Sequence, residues 1–290
     1  MTTLFQTKSK FQNIALESNG RDYALLLDGY FQFHSRTERV YHEYLTLLPL
    51  LLAARARRVL ILGGGDGLAV REALKWPSTR VTLVELDPAV LQVANREPVA
   101  SLNEASLSDG RVNVVAADAK KVVPKLEDGS FDVICMDFPA ATSPELEELY
   151  SPGFVSKVMD KLAPGGVIVS QVSEGPDQTR RMRRMFADRL GHGMEIFTSA
   201  DRMDRETFAY GSSQPFAPRR DLFGRYVTPA IVSQIVDDYR RGKRIFVVQA
   251  DTDLGSTRLL GEYGEVSDVS GLAMIGVVGF GLYYLLKGRR

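Results

Sequence analysis

The sequence predicts an α/β fold: a doubly wound parallel sheet preceded by a small antiparallel β-domain. Three observations carry this. From residue 58 onward, short apolar runs such as "RVLIL", "RVTLVEL" and "FDVICMD" alternate with helical segments such as "GLAVREALKW" and "PAVLQVANR". Strands feeding helices in this way build a parallel sheet. The stretch "VLILGGGDGLAVREAL" (residues 59–74) passes from a strand through a glycine turn into a helix, the place where open α/β sheets bind ligands. Before all this, Asp28-Gly29 separates two apolar runs, a strong hairpin signal.

Taken in order, "FQNIALES", "DYALLLDG" and "YFQFHS" read as three strands of a β-domain over residues 1–50. It ends in the start of a helix, "ERVYHEYLTLLPLLLAA". Residues 51–213 read as the main α/β domain, with "EIFTSA" and "TFAYGSS" closing an antiparallel edge. Residues 214–265 read as a loop and helix extension, including "TPAIVSQIVDDYRR". Residues 266–290 read as a transmembrane tail. "VSGLAMIGVVGFGLYYLL", from Val269 to Leu286, carries no charge over 18 residues. As a helix it would be about 27 Å long, marginally enough to cross a bilayer core. Its four glycines (Gly271, Gly276, Gly279 and Gly281) are better tolerated in a membrane than in water. A helix packed on protein is the alternative. The basic end "KGRR" argues against the anchor if the domain is cytosolic, because basic residues favour the inside.

Composition excludes several classes. Lys+Arg and Asp+Glu balance at 36 each, unlike a general nucleic-acid binder. A single cysteine, Cys135, allows neither a disulfide framework nor a thiolate metal site. The three histidines, His34, His42 and His192, lack metal-ligand spacing. The expectation is a catalytic domain in a reducing, cytoplasmic compartment, with membrane contact through the tail. The basic run "QTRRMRRMFADR" (residues 178–189) reads as a solvated helix face, or as a surface that seats on anionic lipid.

Four acids point to the ligand. Glu85 ends the second α/β strand, 20 residues after Gly65, where a carboxylate can accept from ribose hydroxyls. Asp66 sits inside the glycine turn, beside Gly63 and Gly65. There it either caps the helix or opposes a pyrophosphate and attracts a cation. The cationic, phosphate-free nucleosides are S-adenosylmethionine and its decarboxylated form. Asp118 follows "RVNVVAA", placed to accept from an adenine amino group or to cap "DAKKVV". Asp137 ends "FDVICMD". It is either an ordinary strand-end acid or a carboxylate that orients a nucleophile and takes its proton.

Together, "LDGYFQF", "YHEYLTLLPL", "VLILGGGDG", "REAL", "LVELD", "FDVICMD" and "LAPGGVIVSQ" resemble the spermidine synthase family, the polyamine aminopropyltransferases. The resemblance covers residues 11–213. It implies a Rossmann-like, class I methyltransferase-type domain behind an N-terminal β-domain, and a homodimer. It implies aminopropyl transfer from decarboxylated S-adenosylmethionine, as co-substrate, to an amine, with no metal and no tightly bound cofactor. By motif, Gln12 matches the family's nucleoside-binding glutamine. Tyr41 and His42 match the residues beside the acceptor and the donor's amine. Asp66, Glu85, Asp118 and Ala119 match the donor set, and Asp137 matches the catalytic acid. The acceptor side departs from the pattern. Ala140 stands where the family has a second acid, Thr37 where it has aspartate, and Asp201 or Asp204 falls near its acceptor-binding tyrosine. This suggests an acceptor other than putrescine: a longer polyamine, a membrane-presented amine, or one supplied by a partner. Two other functions fit the same residues. One is a methyltransferase using intact S-adenosylmethionine, which Asp66 opposes. The other is a membrane-associated nucleoside or polyamine sensor without turnover, which Asp137 opposes.

Overall fold

The computed structural model describes residues 2–172, 176–199, 205–220, 222–249 and 257–259. Asp201, Asp204 and the charge-free run from Val269 to Leu286 lie outside the described residues. Among the described residues, no helix is long and apolar enough to cross a membrane.

Four strands open the chain: β1 (Thr2–Lys8), β2 (Asn13–Ser18), β3 (Tyr23–Leu27) and β4 (Tyr30–His34). They form an antiparallel sheet in sequential order. The hairpin is where the Asp-Gly pair places it: Leu27 pairs with Tyr30 across Asp28 and Gly29, both at positive φ. β1 is a strand beyond the three read from the sequence. Its side chains are mostly exposed on both faces, so no apolar alternation marks it. One face of this sheet, with Ile14, Leu16, Leu25 and Phe33, packs on Leu68, Val90, Val93 and Val99 of the main domain.

The second sheet is built from β5 (Arg58–Gly63), β6 (Arg80–Glu85), β7 (Val112–Ala116), β8 (Phe131–Asp137), β9 (Leu162–Gln171), β10 (His192–Ser199), β11 (Arg205–Ser212), β12 (Ile245–Gln249) and β13 (Thr257–Leu259). Their order is β13-β12-β10-β11-β9-β8-β5-β6-β7. β9, β8, β5, β6 and β7 run parallel. β5 and β8 are buried on both faces, which is why they read as unbroken apolar runs. The α/β prediction therefore holds. The antiparallel pair β10–β11 is also present, but it is not the edge. β12 adds to β10 in parallel and β13 pairs with β12. The sequence reading of loop and helix after residue 214 missed these strands. The helix Pro229–Arg240 is where it was expected. It buries Ile231, Val232, Ile235 and Val236 in the same core as the central strands.

The helical run over residues 38–52 is held in an unusual way. Leu45, Leu47, Leu48, Leu50 and Leu51 are fully buried, so its second half is a core helix, while its first half buries Glu38, His42 and Glu43. Pro49 has no N–H to offer the carbonyl four residues back, and a π-turn occupies Glu43–Leu47 just before it. Two carbonyls are thus available to outside donors. Cys135 Sγ of β8 donates to the Leu45 carbonyl at 3.3 Å. Tyr210 Oη of β11 donates to the Tyr44 carbonyl at 2.8 Å. The lone cysteine is a buried pin, and burial pushes its thiol pKa up.

Candidate active site

The site forms along one row at the carboxyl ends of the parallel strands. Leu62 pairs with Val84 and Gly63 with Asp137. Met136 pairs with Ser170 and Gln171 with Phe208. Glu85, Gly63, Asp137, Gln171 and Phe208 therefore stand level across five strands. Paired residues share a face, and this face carries the residue 38–52 helix.

Close approach explains the glycines. A Cβ on Gly63 (φ +84°) would lie 2.0 Å from the Asp137 backbone oxygen. One on Gly64 (φ +70°) would lie 2.8 Å from Asp137 Oδ2, and one on Gly65 would lie 2.6 Å from Glu85 Oε2. The turn is pressed between the two carboxylates. Gly64, omitted from the sequence-read set, is as tightly enclosed as its neighbours.

On the donor side, Glu85 is buried and accepts from Gly65 N–H at 3.1 Å and Asp87 N–H at 2.8 Å. Burial raises its pKa to about 7, although both N–H bonds pull it down; the Asp66 and Asp87 charges add to the rise. Asp87 accepts from Gln12 Nε2 at 3.1 Å and from Ser9 Oγ at 2.6 Å. The N-terminal sheet thereby delivers Gln12 to the Glu85 turn. Asp87 was absent from the sequence-read set. Its signal was the Asp-Pro step that starts the helix Pro88–Ala94, which it caps through Ala89 N–H at 3.0 Å. Asp118 accepts from Lys120 N–H at 2.9 Å, so its visible contact is the helix cap. Ala119 behind it is buried.

Asp66 is buried and accepts from Leu68 N–H at 2.9 Å. It bonds the first N–H of the next helix from the residue before the Gly67 N-cap, yet its charge reaches further. Burial raises its own pKa, and its charge helps raise those of Glu85 and Asp137. Asp137 is pushed up to about 6 by burial and Asp66, against the pull of His42 and the Tyr41 hydrogen bond. The Tyr41 hydroxyl donates to Asp137 Oδ1. Burial and the Asp137 charge hold the phenol well above its ordinary pKa, so it stays a donor.

His42 is buried, with Nδ1 2.8 Å from the Glu38 carbonyl and 3.0 Å from Glu38 Oε2. These acceptors assign the proton to Nδ1. Burial lowers its pKa, but Glu38, Asp66 and Asp137 outweigh burial and leave it raised. Glu38 also accepts two bonds from Arg71, both at 2.9 Å. Arg71 pairs with Glu72, and Glu72 with Lys75. Burial would raise the Glu38 pKa, yet His42 and Arg71 bring it down to about 2. Beside it, Glu43 is fully buried. Its carboxylate accepts from the N–H groups of Arg225, Tyr226 and Val227 at 2.7–2.9 Å. No local pattern in the sequence marks Glu38's pairing or Glu43.

Comparison with known proteins gives the family. Residues 38–195 match the model of the spermine/spermidine synthase domain. That span holds Tyr41, His42, Asp66, Glu85, Asp118 and Asp137; Gln12 lies before it. The chain belongs to the spermine/spermidine synthase family.

Among its relatives, polyamine aminopropyltransferase 2 of Bacillus cereus is 39% identical over 178 residues, covering 61% of this chain and 48% of that protein. The polyamine aminopropyltransferase of Oceanobacillus iheyensis is 39% identical over 170 residues, covering 57% and 33%. The chain thus spans about half the length of the first relative and a third of the second. A crystal structure of spermidine synthase with the transition-state analogue AdoDATO superposes with a TM-score of 0.67 at 23% identity, covering 81% of this chain and 88% of that one. Spermidine synthase from Thermotoga maritima gives a TM-score of 0.64 at 24% identity, covering 81% and 78%. These superpositions establish the spermidine synthase fold: an N-terminal antiparallel sheet joined to a Rossmann-like, methyltransferase-type domain.

Proposed function

We propose that the protein transfers an aminopropyl group from decarboxylated S-adenosylmethionine to an amine. The observation that carries this is the grouping of Asp66, Glu85 and Asp137 around one glycine turn, with the Tyr41 hydroxyl on Asp137. Three carboxylates oppose a phosphate. They suit a nucleoside bearing a sulfonium and an ammonium. The relatives named as polyamine aminopropyltransferases support the same reading.

In this reading Glu85, with Gln12 and Asp87 behind it, holds the ribose. Asp118 and Ala119 hold the adenine. Asp66 and His42 flank the donor's ammonium. The acceptor nitrogen attacks the aminopropyl carbon bonded to sulfur. The new C–N bond forms as the C–S bond breaks, and methylthioadenosine leaves with the sulfur electron pair. Alkyl amines have pKa values near 10 and arrive protonated. Asp137, with its raised pKa, takes the proton, and Tyr41 keeps the carboxylate aimed. Positioning and charge supply most of the rate.

Calorimetric titration of the full chain with decarboxylated S-adenosylmethionine, the intact form and methylthioadenosine tests this. Preference for the decarboxylated donor is expected, with methylthioadenosine release when an amine is added. Preference for the intact donor, with methyl transfer, overturns it.

Membrane attachment through Val269–Leu286 and homodimerisation belong to the same proposal. Their support is the charge-free run and the family resemblance. Vesicle flotation of the full chain against one ending at residue 266 tests the first. Light scattering tests the second.

A further inference from the structure

The glycine turn meets its helix at Asp66 and Gly67, and a segment more than thirty residues later holds it there. Asn103 is buried, and its Nδ2 donates to the Asp66 carbonyl at 2.8 Å and to the Ala94 carbonyl at 2.9 Å. Ser106 is buried too, and its Oγ donates to the Gly67 carbonyl at 2.7 Å. The approach is close. A Cβ on Gly67 (φ +82°) would lie 2.9 Å from Ser106 Oγ and 3.0 Å from Asn103 Nδ2.

Two features show that this contact is kept at a cost. Glu104 and Ala105, which lie between the two donors, both take left-handed backbone, at φ +57° and +53°. Side chains other than glycine disfavour that conformation. Asn103 Oδ1 is buried and has no hydrogen-bond partner among the described residues, a state that folded chains mostly avoid. Strain of this kind persists where the surrounding structure over-determines a functional group. The functional group in reach is the Asp66 carboxylate. Its own residue has its carbonyl on Asn103 and its carboxylate on Leu68 N–H at 2.9 Å. Released by Asn103 and Ser106, the peptide joining Asp66 to Gly67 can rotate, and the carboxylate turns with it.

We propose that Asn103 and Ser106 are positioning residues: by holding the Asp66 and Gly67 carbonyls they aim the Asp66 carboxylate at the donor's ammonium, and so sharpen the preference for decarboxylated over intact S-adenosylmethionine. This rests on the aminopropyl-transfer reading. Both residues act through Asp66.

The test uses the full chain carrying Ser106→Ala or Asn103→Ala. Calorimetry compares decarboxylated S-adenosylmethionine with methylthioadenosine, which lacks the aminopropyl arm. Each variant should lose at least tenfold in affinity for the decarboxylated donor and less than twofold for methylthioadenosine. Added to Asp66→Asn, the same substitutions should cost nothing more, because the charge they aim is already gone. NMR titration of His42 without ligand is the second readout. Glu38, Asp66 and Asp137 all raise its pKa, so both variants should lower it, and neither should lower it further in Asp66→Asn. That comparison also separates Asp66 from Glu38, whose partner Arg71 donates to the Leu102 carbonyl at 2.9 Å beside Asn103. Ser106→Ala removes a single bond and carries the test if Asn103→Ala does not fold. Equal weakening of both nucleosides, losses that add to those of Asp66→Asn, or an unmoved His42 overturns the proposal. A His42 pKa that falls only while Asp66 is present, in a protein without preference for the decarboxylated donor, keeps the positioning role and removes the transfer reading.

Discussion

Replacing Gly65 by alanine isolates the Glu85 carboxylate from the rest of the turn. The φ of Gly65 lies outside the left-handed region, so alanine adds no backbone strain there. Its Cβ, however, would lie 2.6 Å from both Cγ and Oε2 of Glu85. The carboxyl group must move, and its 3.1 Å bond from Gly65 N–H is lost. A hydrogen bond to a charged group is worth about 1.5–3 kcal/mol. If Glu85 holds the ribose, that displacement weakens methylthioadenosine binding by about 10- to 150-fold at roughly 1.4 kcal/mol per tenfold. The assay is calorimetric titration with methylthioadenosine, beside a thermal melt. Gly110→Ala is the control, since nothing lies within 4 Å of its added Cβ. Wild-type affinity in Gly65→Ala, with the fold intact, would refute the placement of Glu85 at the nucleoside.

Three further outcomes are expected. Asp137→Asn should cut transfer by about 10²- to 10⁴-fold while leaving methylthioadenosine affinity in place. In wild type the base must be ionised, so kcat/KM should fall as pH drops through about 6; that limb should vanish in the variant. Glu38→Gln should destabilise the fold by about 3–5 kcal/mol in urea titrations, because it strips a buried partner from Arg71. The pKa of Glu38 is lowered from 4.5 to about 2. Its contribution is therefore present above pH 4.5 and lost as pH falls towards about 2. The same variant should lower the His42 pKa, read by NMR. Glu43→Ala should speed hydrogen exchange at the amides of Arg225, Tyr226 and Val227 by about 10- to 150-fold, from about 1.5–3 kcal/mol per bond.

What the sequence revealed and what it hid follow from the range of the interactions. Glu85 and Asp137 were legible because each ends its own apolar strand, and the glycine turn because strand, turn and helix follow one another directly. The Asp28-Gly29 hairpin was legible for the same reason. β1 was not, since a strand exposed on both faces has no apolar period. β12 reads as an isolated apolar run, and only its pairing with β10 makes it part of the sheet. Glu43 and Glu206 were hidden more deeply. The amides that Glu43 accepts from are more than 180 positions away, and Glu206, bonded by Gln171, gains its place from the register of β11 on β9. Asp66 shows the limit of choosing between readings: it bonds the first N–H of a helix and charges the site at once.

The grip of Glu43 on residues 225–227 also sets an order in time. A chain emerging from the ribosome makes its sheet strands and glycine turn early, and domains tend to fold from the N-terminal side. The helix bearing Tyr41 and His42 is not finished at that stage. Directly after His42, the Glu43 carboxylate waits for three amides that are synthesised about 180 residues later. The Tyr44 carbonyl likewise waits for Tyr210. Until those segments arrive, the helix has only its earlier ties, Cys135 and Asp137 of β8 and Lys75 beside Glu43. The last bonds on the site's helix can form only when nearly all of the sheet has been made.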